Sequence, residues 1–281
     1  MRSFKKAYIE ITNACNLDCP FCPGNSRPIR FMRAEELHII LSRLRGSVNQ
    51  LYFHVMGEPL LHPELGTFLD LASQYGFPVN LTTNGTLLRR HLDGALMKPA
   101  LRKLSISLHS HSGSDDAYLN DVISTVKALR AKRKIIVSLR LWNNGAGETN
   151  PENERVIERI RSAFPDAPIP TGETNGRGIK IGEDLYINLA EEFAWPDIQG
   201  ISFGEKGFCH GLRDQIGILC DGTVVPCCLD GEGVINLGNL LTQSLEEILE
   251  SPRARTIYDG FSNRNAVEEL CRKCGYRGKF D

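Results

Sequence analysis

The sequence predicts an α/β fold: a partial (β/α)6, TIM-like barrel over residues 1–194, then a small C-terminal domain over 195–281. Three observations support this. β-Branched and aromatic runs alternate with stretches of 3.6-residue apolar periodicity, a pattern of parallel strands joined by helical crossovers. An eight-unit barrel uses about 250 residues, so six units need roughly 190, the length of the alternating region. From about Trp195 the alternation stops and the chain turns irregular and Gly-rich. A doubly wound open sheet is the competing architecture, and either fold gathers its reactive groups at the C-terminal strand ends.

In chain order the strands are KAYIEIT (6–12), QLYFHV (50–55), PVNLTTN (78–84), KLSISLH (103–109) and IIVSLRLW (135–142). A sixth lies within IKIGEDLYINLA (179–190). The helices are marked by Leu37, Ile40, Leu41 and Leu44, by Leu65, Phe68, Leu69 and Ala72, and by Leu119, Val122, Ile123 and Val126. Val156, Ile157, Ile160 and Phe164 approximate the same one-faced spacing. Past Trp195, ILCDGTVVPCC (218–228) reads as a hairpin turning at Asp221-Gly222. SLEEILESPRART (244–256) reads as one helix opened by a Ser244/Glu247 capping box.

A net charge of −1 with 24% charged residues provides no basic field, so nucleic acid is not indicated as a partner. No stretch approaches the roughly 20 apolar residues of a membrane span, and the N-terminus lacks a secretory signal. The expected setting is therefore a reducing cytoplasm. There, nine cysteines are expected to bind metal or do chemistry rather than form disulfides. They fall in two groups: Cys15, Cys19 and Cys22, then Cys209, Cys220, Cys227, Cys228, Cys271 and Cys274.

The first group, CNLDCPFC (15–22), places three thiols on one loop after the first strand. Three thiolates can hold three corners of an iron–sulfur cube, leaving one iron open to an exogenous ligand. A zinc site with three thiolates and a water is the alternative, and unpaired buried thiols are a third.

ITNACNLDCPFC resembles the signature of the radical S-adenosylmethionine (SAM) superfamily. The resemblance implies a [4Fe–4S] cluster on Cys15, Cys19 and Cys22, with the SAM amino and carboxylate groups on its open iron. Reductive cleavage of SAM then gives a 5′-deoxyadenosyl radical that abstracts a substrate hydrogen atom. The reducing electron would come from a partner such as flavodoxin or ferredoxin. Phe21 precedes the last cysteine of the loop. HVMGEPLLHP resembles the family's Gly-Gly-Glu segment, with Met56 in place of the first Gly and Gly57 and Glu58 retained. Glu58 would accept from the SAM ammonium, and Met56 and Gly57 would contribute backbone. By their place at strand ends, Asn84, Ser107, His109, Arg140 and Asn143 are candidates to touch SAM or substrate. Arg140 is the one best suited to pair with a carboxylate. A capping or surface role is the other reading of each, and His54 and His62 are expected to be packed or solvated.

The region from Trp195 to Asp281 resembles the auxiliary-cluster domain of many such enzymes. It resembles the short "twitch" form of the SPASM domain, which implies one auxiliary [4Fe–4S] cluster, on Cys209, Cys227, Cys271 and Cys274. A zinc ribbon is the alternative for Cys271-x2-Cys274. Cys228 could replace Cys227 as a ligand, but adjacent strand residues face opposite ways. Cys220 and Cys228 are expected to be packed, or to donate a hydrogen atom as an epimerase requires.

Three functions follow. One is oxidation of a small molecule, with the auxiliary cluster as electron acceptor, as in a dehydrogenase of a cyclic amino-alcohol or, more loosely, a molybdopterin-precursor synthase. A second is modification of a peptide, although the N-terminal recognition domain common in enzymes of long precursors is not expected so close to the first cluster motif. The third is a zinc-stabilised binding module. TGETNGRG (171–178) would order over a ligand or act as a plain connector.

Overall fold

The computed structural model describes residues 3–110, 115–145, 150–165 and 178–280. TGETNGRG lies outside them except for Gly178. The first two-thirds of the chain form β1 (Lys6–Ile9), α1 (Ala34–Leu44), β2 (Leu51–Phe53), α2 (Leu65–Gln74) and β3 (Val79–Thr83). Then come α3 (Leu88–His91), β4 (Leu101–Ser107), α4 (Asp116–Lys132), β5 (Ile136–Asn144), α5 (Pro151–Ala163), β6 (Ile179–Gly182) and β7 (Leu185–Glu191). The remainder holds β8 (Gln215–Ile218), β9 (Val224–Val225), α6 (Leu245–Leu249), α7 (Pro252–Ser262) and α8 (Glu269–Arg272).

The nine strands among the described residues belong to one sheet of order β6-β7-β5-β4-β3-β2-β1-β8-β9. The run from β8 through β1 to β5 and β7 is parallel throughout. The edge strands β6 and β9 are antiparallel to their neighbours. This is the parallel α/β architecture expected. The register puts Ala7 and Ile9, Leu51 and Phe53, Val79 and Leu81, Leu104 and Ile106, and Val137 and Leu139 on the buried helix-covered side. Intervening residues Tyr8, Tyr52, Thr82, Ser105, Ser138 and Arg140 line a cavity on the other side. Each strand is thus apolar toward the helices and polar toward the site, a consequence of the two-residue period.

The helices begin where the local chemistry starts them. Asp115 accepts from the Tyr118 amide and Asn150 from the Glu152 amide, capping α4 and α5. Ser244 and Glu247 form the expected capping box.

Three expectations need correction. The sixth strand is two: β6 and β7 form a hairpin through Asp184 (φ 55°), and only β7 joins the parallel run. SLEEILESPRART is two helices, because Ser251 caps a new one with Pro252 in its first turn, where a missing N–H costs nothing. The C-terminal hairpin is not confined to its own module. Its strand β8 pairs with β1 over Lys6↔Gln215 to Ile9↔Ile218.

Candidate active site

One cavity of about 870 Å³ lies at the polar side of the sheet, and both cysteine groups line it. Cys15, Cys19 and Cys22 stand on the loop after β1, at the C-terminal strand ends. Cys209, Cys227, Cys228, Cys271 and Cys274 reach it from the last third of the chain. All nine cysteines are free thiols.

The three-cysteine loop is pressed against the loop that follows β2. Gly57, at φ 75°, lies so close that a Cβ there would sit 2.5 Å from the Thr12 carbonyl oxygen and 2.7 Å from that of Ala14. The Glu58 amide donates to the Ala14 oxygen at 2.7 Å. Only glycine permits both the left-handed backbone and the approach. The Glu58 side chain is buried, with one oxygen accepting from the Leu60 amide (2.9 Å) and the other from the Asn84 amide (2.7 Å). Burial nonetheless raises its pKa to about 7, so the carboxylate gains from a cation brought beside it. Asn84 extends the bracing, donating through its side chain to Asn16 of the cysteine loop.

Glu10 ties the loops together from below. It is fully buried and pairs with Arg27 through both oxygens, at 2.6 and 2.8 Å. It also accepts from the amides of Met56 and Cys220. One carboxylate therefore joins β1, the tail of the cysteine loop, the β2 loop and the β8–β9 turn. Cys220 belongs to this cluster and is not among the residues lining the cavity. Burial, with Glu10 next, pushes its thiol up to about 12.

Met56 shows why the first glycine of the family segment is absent. Its side chain packs with Tyr8, Val55, Leu219 and Val225 and fills the space over Gly231, where a Cβ would lie 2.7 Å from Met56 Cγ. The barrel loop thus supplies the bulk and the C-terminal loop the vacancy.

The later thiols are held together by the C-terminal segment. Burial raises the pKa of Cys227, and Cys228, Cys209 and Cys271 raise it further. Burial likewise raises Cys271, followed by the charges of Cys209 and Cys274. Cys209 and Cys271 thus lie near both Cys227 and Cys274. Cys228 turns away toward Tyr8 and Arg140. Arg277 is buried and donates to the carbonyls of Cys271, Gly204 and Lys206, fixing the turn that carries Cys271 and Cys274.

Phe21, Ser107, His109 and Arg140 also line the cavity. His109 stacks on Phe21 at 4.9 Å and accepts from the Trp142 amide at 3.3 Å. Burial lowers its pKa to about 4, so its ring is neutral at neutral pH. His54 lies at the cavity too, its pKa lowered to about 3 by burial and then by Arg140. His62 is structural, its ring bonded to the Met32 carbonyl and the Glu64 amide. Asn143 is not among the lining residues. Sequence reasoning missed Glu10, Arg27, Lys6, Lys103 and Tyr8. The alternation of β1 and β4 marks Lys6, Tyr8 and Lys103 as facing away from the core, but not that this side is enclosed.

The model of the Radical SAM superfamily matches residues 9–166, more than half of the chain. This chain belongs to the radical SAM superfamily. The SPASM model, described as an iron–sulfur cluster-binding domain, matches residues 209–275. A probable GTP 3′,8-cyclase of Pyrobaculum aerophilum is 28% identical, over 90% of this chain and 93% of the relative. A GTP 3′,8-cyclase of Microcystis aeruginosa is 25% identical over 89% of each. Streptococcus suis SuiB bound to precursor peptide SuiA superposes with a TM-score of 0.61 at 15% identity, over 98% of this chain and 70% of that one. BtrN in complex with AdoMet and 2-DOIA superposes with a TM-score of 0.55 at 14% identity, over 98% and 94%. These structural likenesses establish a shared fold.

A radical SAM chain with a SPASM domain uses SAM, a [4Fe–4S] cluster and auxiliary iron–sulfur, and it cleaves SAM reductively. The residues present fit those groups. Two sets of thiols face one cavity, and a buried carboxylate beside the first set lacks a cation. Among the described residues no three His, Cys, Asp or Glu side chains converge tightly enough to hold a single metal ion. A cluster, whose irons are separate atoms, asks for a wider spacing. No helix among the described residues is long and apolar enough to cross a membrane.

Proposed function

We propose that this radical SAM enzyme removes a hydrogen atom from a small organic substrate held between the two cysteine groups, and completes the reaction as an oxidation. The single observation behind this is the cavity that reaches both groups at once. Its volume suits a cofactor and a small substrate side by side. Whole-length relatives named for cyclising GTP support a small-molecule substrate over a peptide.

In this reading Cys15, Cys19 and Cys22 hold the SAM-binding cluster, and Cys209, Cys227, Cys271 and Cys274 hold one auxiliary cluster. When bound, these cofactors supply an organic radical that abstracts hydrogen, and an acceptor for the electron left on the substrate. The protein's own residues bind and orient. Glu58, unfavourably charged in its buried site, accepts from the SAM ammonium. Gly57 brings its loop against the cysteine loop, so that the carboxylate and the thiols hold fixed positions. Tyr8, Tyr52, Phe193, Trp142 and Trp195 line the cavity with aromatic surface and limit water around the reacting atoms. The reducing electron arrives from a flavodoxin or ferredoxin.

A second reading, redox-neutral epimerisation, is favoured by one observation: the Cys228 thiol lines the cavity. Cys228→Ala separates the two, because oxidation survives this change and epimerisation does not.

The test is iron and sulfide content after anaerobic reconstitution, with 5′-deoxyadenosine release as the second readout. Two four-iron clusters give about eight irons per chain, falling to about four in Cys15/Cys19/Cys22→Ala and to about four in Cys271/Cys274→Ala. Iron that is unaffected by the second variant would refute the auxiliary assignment. A protein that binds no iron and leaves SAM intact would refute the whole reading.

A further inference from the structure

Three cations enter the same cavity without a counter-ion. Lys6 comes from β1, Lys103 from β4 and Arg140 from β5. Among the described residues none of the three forms an ion pair. The Nε of Arg140 is buried without a hydrogen-bond partner. Its guanidinium carbon lies over Trp142, 3.4 Å from the ring centroid. Lys6 sits over Tyr8 and Tyr52, at 5.3 and 5.6 Å from their centroids.

The carboxylates of the cavity are engaged elsewhere or lie at its rim. Asp214 pairs with Lys5 and His210. Asp230 accepts from the amides of Val234 and Ile235, and Glu58 from those of Leu60 and Asn84. Asp18 and Glu192 are exposed. The groups that do face Arg140 are neutral or basic: Tyr8, Cys228, Tyr276, His54 and His109. Lys103 lies near enough for Arg140 to add to the lowering of its pKa by burial.

A half-buried cation with a buried, unpartnered Nε and no anion beside it is costly, and such a cost persists where a ligand removes it. We infer that the substrate is an organic acid whose carboxylate or phosphate docks on Arg140, with Lys103 and Lys6 behind it. This rests on the proposed function and names the substrate class for that site. Of the two roles that the sequence leaves open for Arg140, contact with SAM or with substrate, it selects the substrate. Arg140 is surrounded by Tyr8 of β1 and by Cys228 and Tyr276 of the C-terminal segment, and so faces the later thiols. The guanidinium fork suits either oxyanion.

The test is anaerobic calorimetry on the reconstituted protein, with inorganic phosphate, pyrophosphate, acetate and malonate titrated separately, and SAM titrated in parallel. Either pair of anions should bind, and which pair does so tells a phosphate from a carboxylate substrate. Arg140→Gln should weaken that binding about tenfold or more, since a charge-assisted hydrogen bond is lost. Lys103→Gln should weaken it less, and Arg140→Lys should retain part of it. Arg102→Gln, an exposed residue next to Lys103 on β4, should leave it unchanged.

SAM affinity should persist in Arg140→Gln. The variant without cofactors should melt no lower than wild type, because an uncompensated charge has been removed; a structural role would lower it. Three outcomes overturn the inference: no anion binds, anion binding survives Arg140→Gln, or SAM displaces the anions and loses its own affinity in that variant. Failure of wild type to bind SAM at all would instead refute the proposed function, with the anion titrations still readable.

Discussion

Gly57→Ala tests the packing of the two loops directly. The new methyl would lie 2.5 Å from the Thr12 oxygen and 2.7 Å from the Ala14 oxygen, and both are backbone atoms that cannot swing aside. Two costs add. An alanine held at φ 75° pays about 1–2 kcal/mol for the left-handed backbone. Overpacking against fixed atoms costs about 1–3 kcal/mol more. A total of roughly 2–5 kcal/mol in a chain of this size lowers Tm by roughly 3–9 °C. Gly76→Ala is the internal control, because Gly76 has the same φ of 75° and nothing within 4 Å of its added Cβ. It bears the backbone cost alone. Thermal unfolding of both variants, with iron content of the reconstituted proteins, measures the difference. Gly57→Ala should melt several degrees below Gly76→Ala and take up less iron at the first site, because relief of the clash moves the cysteine loop. Equal melting of the two variants and full iron in both would refute the close approach.

Other consequences are measurable by the same means. Glu10→Gln should lower stability by about 1–3 kcal/mol, because it leaves the half-buried Arg27 charge without its carboxylate; replacing both partners by apolar residues should cost less than that single change. Glu58 has a pKa raised to about 7, so its protonated form is the one favoured in the folded protein without cofactors. Its contribution is therefore fully present below the ordinary carboxylate pKa and is lost as pH rises through about 7, by up to roughly 3 kcal/mol. Urea denaturation across that range should show the loss in wild type and a flatter profile in Glu58→Gln. Ser244→Ala should cost about 1 kcal/mol through loss of the α6 cap, with iron content unchanged.

Much of this molecule is written in local patterns. The apolar faces of α1, α2 and α4, the five strands before α5 and the cysteine loop each announce themselves within a dozen residues. What escaped local reading depends on distant partners. Glu10 looks like an outward-facing residue on a strand, and only the arrival of Arg27, the Met56 amide and the Cys220 amide makes it a buried junction. Met56 looks like a lapse from Gly-Gly-Glu until Gly231 is placed against it. Cys220 and Cys228 are indistinguishable as text, yet one turns into the Glu10 cluster and the other into the cavity. Arg140 announces a charge, while its lack of a counter-ion is a property of the whole cavity. The break at Ser251-Pro252 was legible, since both residues are start signals, but the capping box at Ser244 drew the helix past them.

The pairing of β8 with β1 has a consequence for how the chain is made. Ile9 finds Ile218 across more than 200 residues, so β1 waits for a strand made more than 200 residues after it before its open side is covered. Until then β1 presents unpaired N–H and C=O groups beside three reactive thiols, a pairing template for any other nascent chain. Such long-range closure is slow compared with the helical crossovers that precede it. The late strand thus completes the seam between the domains, and a chain cut before residue 215 would keep a helical exterior and a sticky inner edge. Its expected fate is aggregation rather than a smaller working barrel.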